Sequence, residues 1–419
     1  MQPGMTDAGA GGMTDVSNFV SECSTTVHRR WRSAGFDEAA FADIAFEVLG
    51  ESIAASAPGP MDLIEWVANA ELLPFQDKLD ESFGQPAITL FWNGRFMLEA
   101  LFWHTGTTGV HQHAFSGAFA VLGGSSVHCH YRFDLENRIN SHFLIGQTRV
   151  EGIELLGVGD VRRIERGAGL IHSLFHMDNP STTLVLRTCA DPETGPEYMY
   201  YTPSVGIDPT RSDLQQTKQL QILQLLIRTG SDRVESIADT LLDRADLHTT
   251  FLILQKLRGQ SSEPLYRRAV ERARERHGDR IDPLLLALEE DKRRSWIFEL
   301  RRVVDDPELR FFLALLMNLS ERESIDALVR SRYPDTDPVD RIEGWIVDLS
   351  ATGAIGLTLD ASLRQLLRGA LEGQSGEDIL RRLRAEHSPE TIDSQAEVIL
   401  EAVGRMTGHP ILQPLFRAP

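Results

Sequence analysis

Cysteine is scarce in this chain: among 419 residues only Cys23, Cys129 and Cys189 carry a thiol. An odd number without Cys-x-x-Cys spacing argues against a disulfide framework or a zinc ribbon and points to a reducing cytoplasm. Long apolar runs are missing as well. The richest, Phe311-Phe312-Leu313-Ala314-Leu315-Leu316-Met317, falls far short of the roughly 20 residues a membrane span needs and is expected as a buried helix face. Basic residues are outnumbered, 42 Lys and Arg against 61 Asp and Glu, and the formal charge of -19 argues against a nonspecific binder of nucleic acid or anionic membrane. No basic start followed by an apolar core opens the chain, so no secretory signal is expected. Residues 1–15 are expected as a disordered tail.

What is present changes texture twice. Residues 16–84 read as a helical cover, with Phe41, Ile44, Ala45 and Val48 at three- and four-residue spacing and a break at Ala57-Pro58-Gly59-Pro60. From residue 85 to 205, β-branched and aromatic runs such as Ile88-Thr89-Leu90-Phe91-Trp92 alternate with glycine turns, which suggests a sandwich or jelly roll. Residues 203–209 read as a linker. Residues 212–419 read as an all-helical domain, with helix starts at Ser262-Glu263-Pro264, Asp306-Pro307-Glu308 and the capping-box spacing Ser320-Glu321-Arg322-Glu323. Within it, residues 306–387 are compatible with a winged-helix-like unit around the stretch at 353–359, although the acidic balance argues against a DNA role.

The chemistry concentrates in two stretches, Gly109-Val110-His111-Gln112-His113 and Gly167-Ala168-Gly169-Leu170-Ile171-His172. Residues two apart on a strand share a face, so His111 and His113 project together, with Phe115, Gly117, Phe119 and Val121 continuing that face. Two neutral imidazoles above an aromatic floor suit iron, zinc, copper or nickel, and His172 is the natural third ligand. His128 and His130 also share a face, opposite Val127, Cys129, Tyr131 and Phe133. The expectation is that this apolar set turns inward and the two histidines face solvent; in the inverted register they become partners of metal-bound imidazoles.

These stretches resemble the two motifs of the cupin superfamily, over roughly residues 85–205. The first, G-x5-H-x-H-x(3,4)-E-x6-G, aligns with His111 and His113 and closes on Gly124, while Gly106 stands one residue off the opening glycine. Its acidic ligand position falls on Gly117 or Ala118 and is therefore empty. The second, G-x5-P-x-G-x2-H-x3-N, matches Gly169 and His172, with Val161, Gly167 and His176 at the remaining positions. Cupins that bind metal through three histidines include thiol dioxygenases of the cysteine dioxygenase type, and the thioether-forming cysteine of some of these corresponds to Ala118.

The resemblance implies an α+β multidomain chain: a cupin-like β-barrel (jelly roll) with N-terminal helices and a C-terminal all-helical region. It implies a cytoplasmic metal-dependent oxidoreductase, a mononuclear non-heme iron oxygenase, with Fe(II) or another divalent metal on His111, His113 and His172. A small polar or thiol substrate and dioxygen would be the partners. His176 is a substitute ligand, a substrate contact or a hydrogen-bonded core residue; Arg187 a carboxylate clamp or a strand-end ion pair; Tyr198, with Tyr200 and Tyr201, a cover for the barrel mouth or packing. The alternative is a non-catalytic cupin that senses a ligand or metal and signals through its helices to a protein partner.

Overall fold

A computed structural model describes residues 9–76, 83–189, 195–209 and 213–416. The chain divides into two compact units, residues 1–292 and 293–419, with the division inside one helix. The secondary structure changes from strand to helix much earlier, between Ile207 and Leu214.

The first unit opens with α1 (Gly9–Ser33), α2 (Phe41–Ser56) and α3 (Pro60–Asn69). Helix α1 thus begins inside the stretch expected as a tail, whose residues 1–8 lie outside the described residues. The strands are β1 (Ala87–Trp92), β2 (Phe96–Trp103), β3 (His111–His113), β4 (Gly117–Gly123), β5 (Ser126–Asn140), β6 (Phe143–Leu156), β7 (Val161–Ile164), β8 (Gly167–His176), β9 (Ser181–Thr188), β10 (Met199–Tyr201) and β11 (Val205–Ile207). They form a five-stranded sheet in the order β1-β2-β9-β4-β7 and a closed six-stranded barrel in the order β10-β11-β6-β5-β8-β3. This is the expected cupin-like jelly roll. The stretch expected as a linker at 203–209 instead holds β11, which pairs with both β6 and β10 and helps to close the barrel.

Strand β2 is buried along its whole length because both of its faces are covered. Phe96, Leu98, Ala100 and Phe102 pack with Trp31, Phe41 and Leu49 of the N-terminal helices. Leu101 and Trp103, on the other face, join Phe119, Val121 and Val185 of the same sheet and Leu156, Leu170 and Leu174 of the barrel. That second core lies between the two sheets. The β4–β5 turn needs glycine at 124, where φ is +76° and a Cβ would sit 2.8 Å from Ser181 Oγ.

Helices α4 (Leu214–Arg228), α5 (Val234–Leu242), α6 (Leu247–Gln260), α7 (Glu263–His277) and α8 (Asp282–Val303) follow. Leu223, Leu242, Phe251, Leu254 and Leu284 share a core with the barrel residues Phe143, Ile145, Val205 and Ile207. In the second unit, α9 (Pro307–Asn318) is buried from Leu309 to its end, as its apolar run predicts, and Asp306 caps it by accepting from the backbone N–H groups of Glu308 and Leu309. The capping box at Ser320 does not form: α10 (Arg322–Arg332) starts after Glu321, one residue later than the spacing suggests. Helices α11 (Pro338–Ala351), α12 (Ala361–Leu371), α13 (Gly376–Glu386) and α14 (Pro389–Thr407) complete the unit. Residues 353–356 form a turn and bend, 357–359 carry no regular structure, and the described residues of this unit contain no strand that could serve as a wing.

Candidate metal centre

Strand pairing assembles the site. His111 on β3 lies directly opposite His172 on β8, and His172 lies directly opposite His130 on β5. Directly opposed residues of antiparallel strands share a face. Here it is the face that carries Leu170 and Leu174 into the core between the sheets. His113 follows two residues after His111, across a register shift in the β3–β8 pairing.

One ligand nitrogen from each of His111, His113 and His172 falls within 4.8 Å of the others. The Nε2 atoms of His113 and His172 are 2.9 Å apart. Two nitrogens about 2.1 Å from a common ion and at right angles to it are separated by roughly 3 Å, so this spacing fits ligation of one divalent metal. His111 Nδ1 donates to the Gly109 carbonyl at 2.9 Å, which leaves Nε2 as its ligating atom. Burial, reinforced by the neighbouring histidines, holds His172 well below its usual pKa, so it is a neutral imidazole at physiological pH, the form that binds metal. The donor set fits the metal that the resemblance implies.

The aromatic floor is present. The Phe115 ring packs on His113 with centroids 4.5 Å apart, and Phe119 contacts both His128, edge-on at 5.5 Å, and His172 at 6.1 Å. Arg187 enters the same core with its guanidinium 4.7 Å from the Phe115 ring, and its Nε donates to Glu99 at 2.6 Å in an ion pair buried on both sides. His176 shares the His172 face further along β8, outside the triad, where its Nδ1 meets Ser126 Oγ at 2.9 Å and its ring stacks on Trp103. Tyr198 lies on the other side of the sheet. Its neighbour Met199 is paired with His111, so strand alternation turns Tyr198 away from the triad; its hydroxyl donates to the Ser141 carbonyl at 2.6 Å and accepts from Arg138.

The empty acidic position has a structural cause. A Cβ at Gly117 would lie 2.2 Å from the Leu186 carbonyl oxygen and 2.9 Å from Arg187 Cα, while fully buried Ala118 packs towards the N-terminal helices. Neither position can present a carboxylate to the histidines without moving β4.

The expected outward orientation of His128 and His130 is corrected. Both faces of β5 are covered here, and His128 is completely buried, its Nε2 2.8 Å from His172 Nδ1. His130 is half-buried at the edge of the same face. Glu154, which the motif reading passed over, faces His128 across the β5–β6 pair, and its Oε1 accepts from His128 Nδ1 at 2.9 Å. Arg162 donates to both Glu154 oxygens, with contacts from 2.6 to 3.1 Å. The hydrogen bond from His128, together with Arg162, pulls the Glu154 carboxyl far below its usual range. His128, His130 and Glu154 make a second group with metal-ligand spacing.

No family model matches this chain, and no curated protein matches it. Among solved structures, a chain from the crystal structures of the DMSP lyases RdDddP and RnDddQII is similar at 16% identity. The match covers 44% of this chain and 95% of that one, with a TM-score of 0.24. Barrel, sheet and histidine triads together fit a cupin, and the histidines can hold a metal. No described helix is long and apolar enough to cross a membrane.

Proposed function

We propose that this chain is a mononuclear metal-dependent oxidoreductase of the iron(II) dioxygenase type, acting with dioxygen on a small polar or thiol substrate. The observation that carries the reading is the convergence of His111, His113 and His172 between the sheets, with one ligand nitrogen of each within 4.8 Å of the others. Bound there, iron(II) would supply redox chemistry and open positions for substrate and dioxygen. Phe115 and Phe119 keep water from the histidines and lower the local dielectric. Arg187 lies beside Phe115 with its charge compensated by Glu99 at 2.6 Å, so of its two readings the ion pair is the one this proposal adopts. Thiol chemistry is the specific form of this proposal, supported by the three-histidine donor set without an acidic ligand.

Anaerobic reconstitution with iron(II), followed by metal analysis and oxygen uptake with L-cysteine and 3-mercaptopropionate, tests it. Wild type should take up one iron per chain and consume oxygen with a thiol. His113→Ala should lose stoichiometric iron and oxygen uptake yet unfold cooperatively, because most of the core is untouched. A wild type without iron overturns the metal centre; one that holds iron but consumes no oxygen with either thiol overturns the thiol dioxygenase reading.

A further inference from the structure

We infer that Glu154 is a positioning residue for the metal centre, acting through His128 to fix which nitrogen of His172 carries the proton. The inference rests on the reading of His111, His113 and His172 as the ligand set. Three contacts lie in series: His113 Nε2 to His172 Nε2 at 2.9 Å, His172 Nδ1 to His128 Nε2 at 2.8 Å, and His128 Nδ1 to Glu154 Oε1 at 2.9 Å. A neutral imidazole has one N–H and one lone pair, so the whole chain must point one way.

The carboxylate decides the direction. Glu154 can only accept, so His128 carries its proton on Nδ1 and presents the Nε2 lone pair to His172. His172 then carries its proton on Nδ1, and its Nε2 lone pair faces His111 and His113, where a metal would sit. The opposite direction would set the His128 Nδ1 lone pair against a carboxylate oxygen 2.9 Å away. A partner that accepts from the distal N–H of a ligating imidazole also makes that imidazole a stronger donor. Two rings thus relay the influence of a carboxylate that is itself 31% exposed to a completely buried part of the core, while Gly117 leaves no room for a carboxylate at the ligands themselves.

The same contacts argue against a second metal on His128, His130 and Glu154. Arg162 already neutralises Glu154 and donates to both its oxygens, so another cation there would have to displace or face a guanidinium. The second triad is a support for the first.

Nitrogen-15 NMR of histidine side chains in the metal-free protein, together with zinc(II) and cobalt(II) titrations, tests this. In wild type, His172 should be protonated on Nδ1. Glu154→Ala and His128→Phe should move the His172 proton towards Nε2, weaken zinc and cobalt binding about 10- to 100-fold and alter the visible spectrum of bound cobalt. Glu154→Gln keeps an acceptor without its charge, so it should retain the wild-type tautomer with a smaller loss of affinity. It also serves if Glu154→Ala fails to fold. His130→Ala removes a longer contact, 3.3 Å, to the same Glu154 Oε1 and lies outside the series, so it should change both readouts less than Glu154→Ala or His128→Phe. An unchanged His172 tautomer in folded Glu154→Ala or His128→Phe overturns the inference, as does unchanged metal affinity in both. If wild type binds no metal, the metal centre fails while the tautomer readout still decides the relay.

Discussion

At the scale of single residues, the core between the sheets holds charge only where it is compensated. Glu99 and Arg187 are 4% and 7% exposed and lie 2.6 Å apart. Removing one member of a buried pair leaves the other charge desolvated, which typically costs about 3–5 kcal/mol. Glu99→Ala should therefore lower unfolding stability by about that amount, measured by urea titration. A loss below 1 kcal/mol, roughly the level of an exposed pair, would mean that Arg187 finds equal compensation elsewhere. His111, His113 and His172 were legible because strand alternation and a known motif specify them. Glu154 was not, because its importance is a matter of register. It can be found by counting outward from the β5–β6 turn, where 128 and 154 are symmetric about residue 141, but the register shifts within that hairpin hide the symmetry from sequence alone.

At the scale of elements, the strands read well where glycine turns and β-branched runs coincide, as in β1 between Gly84 and Gly94, and poorly where tertiary pairing makes the strand. β11 is three residues long and exists because β6 and β10 flank it. His128 and His130 were turned the wrong way for a related reason: an apolar alternation on β5 marks one buried face but says nothing of a second. Strand β4 shows how an element constrains chemistry. It runs between β7 and β9, and at Gly117 it approaches β9 too closely for any side chain. Gly117→Ala should force β4 from β9 and cost about 1–3 kcal/mol or more in thermal or urea unfolding, the range for overpacking a dense core. Gly117→Glu should be worse still and should not gain metal affinity. A stable Gly117→Glu variant that binds zinc more tightly than wild type would show that β4 can shift to restore a fourth ligand.

At the scale of the molecule, the change of texture after residue 207 marks where strands stop and not where the first compact unit ends. Phe143, Ile145, Val205 and Ile207 of the barrel share one core with Leu223, Phe251 and Leu254 of the helices that follow. A protease site inserted between Asp208 and Asp213 should therefore yield a nicked chain whose two fragments co-elute in native size exclusion and separate only in denaturant. Fragments that part under native conditions would contradict that shared core. The second unit should report pH through His409. It is buried against Trp296, its Nε2–H donates to the Ile355 carbonyl at 3.0 Å, and its buried Nδ1 has no partner among the described residues. Burial pushes its pKa below 6.5, so between the folded value and 6.5 the unfolded chain binds the extra proton. The contribution is fully present above about pH 6.5 and is lost as pH falls towards the folded pKa. Urea midpoints recorded from pH 7.5 to 5 should fall on the acid side, and His409→Gln, which cannot titrate, should show a shallower fall. Equal slopes for the two proteins would assign the acid sensitivity to other groups.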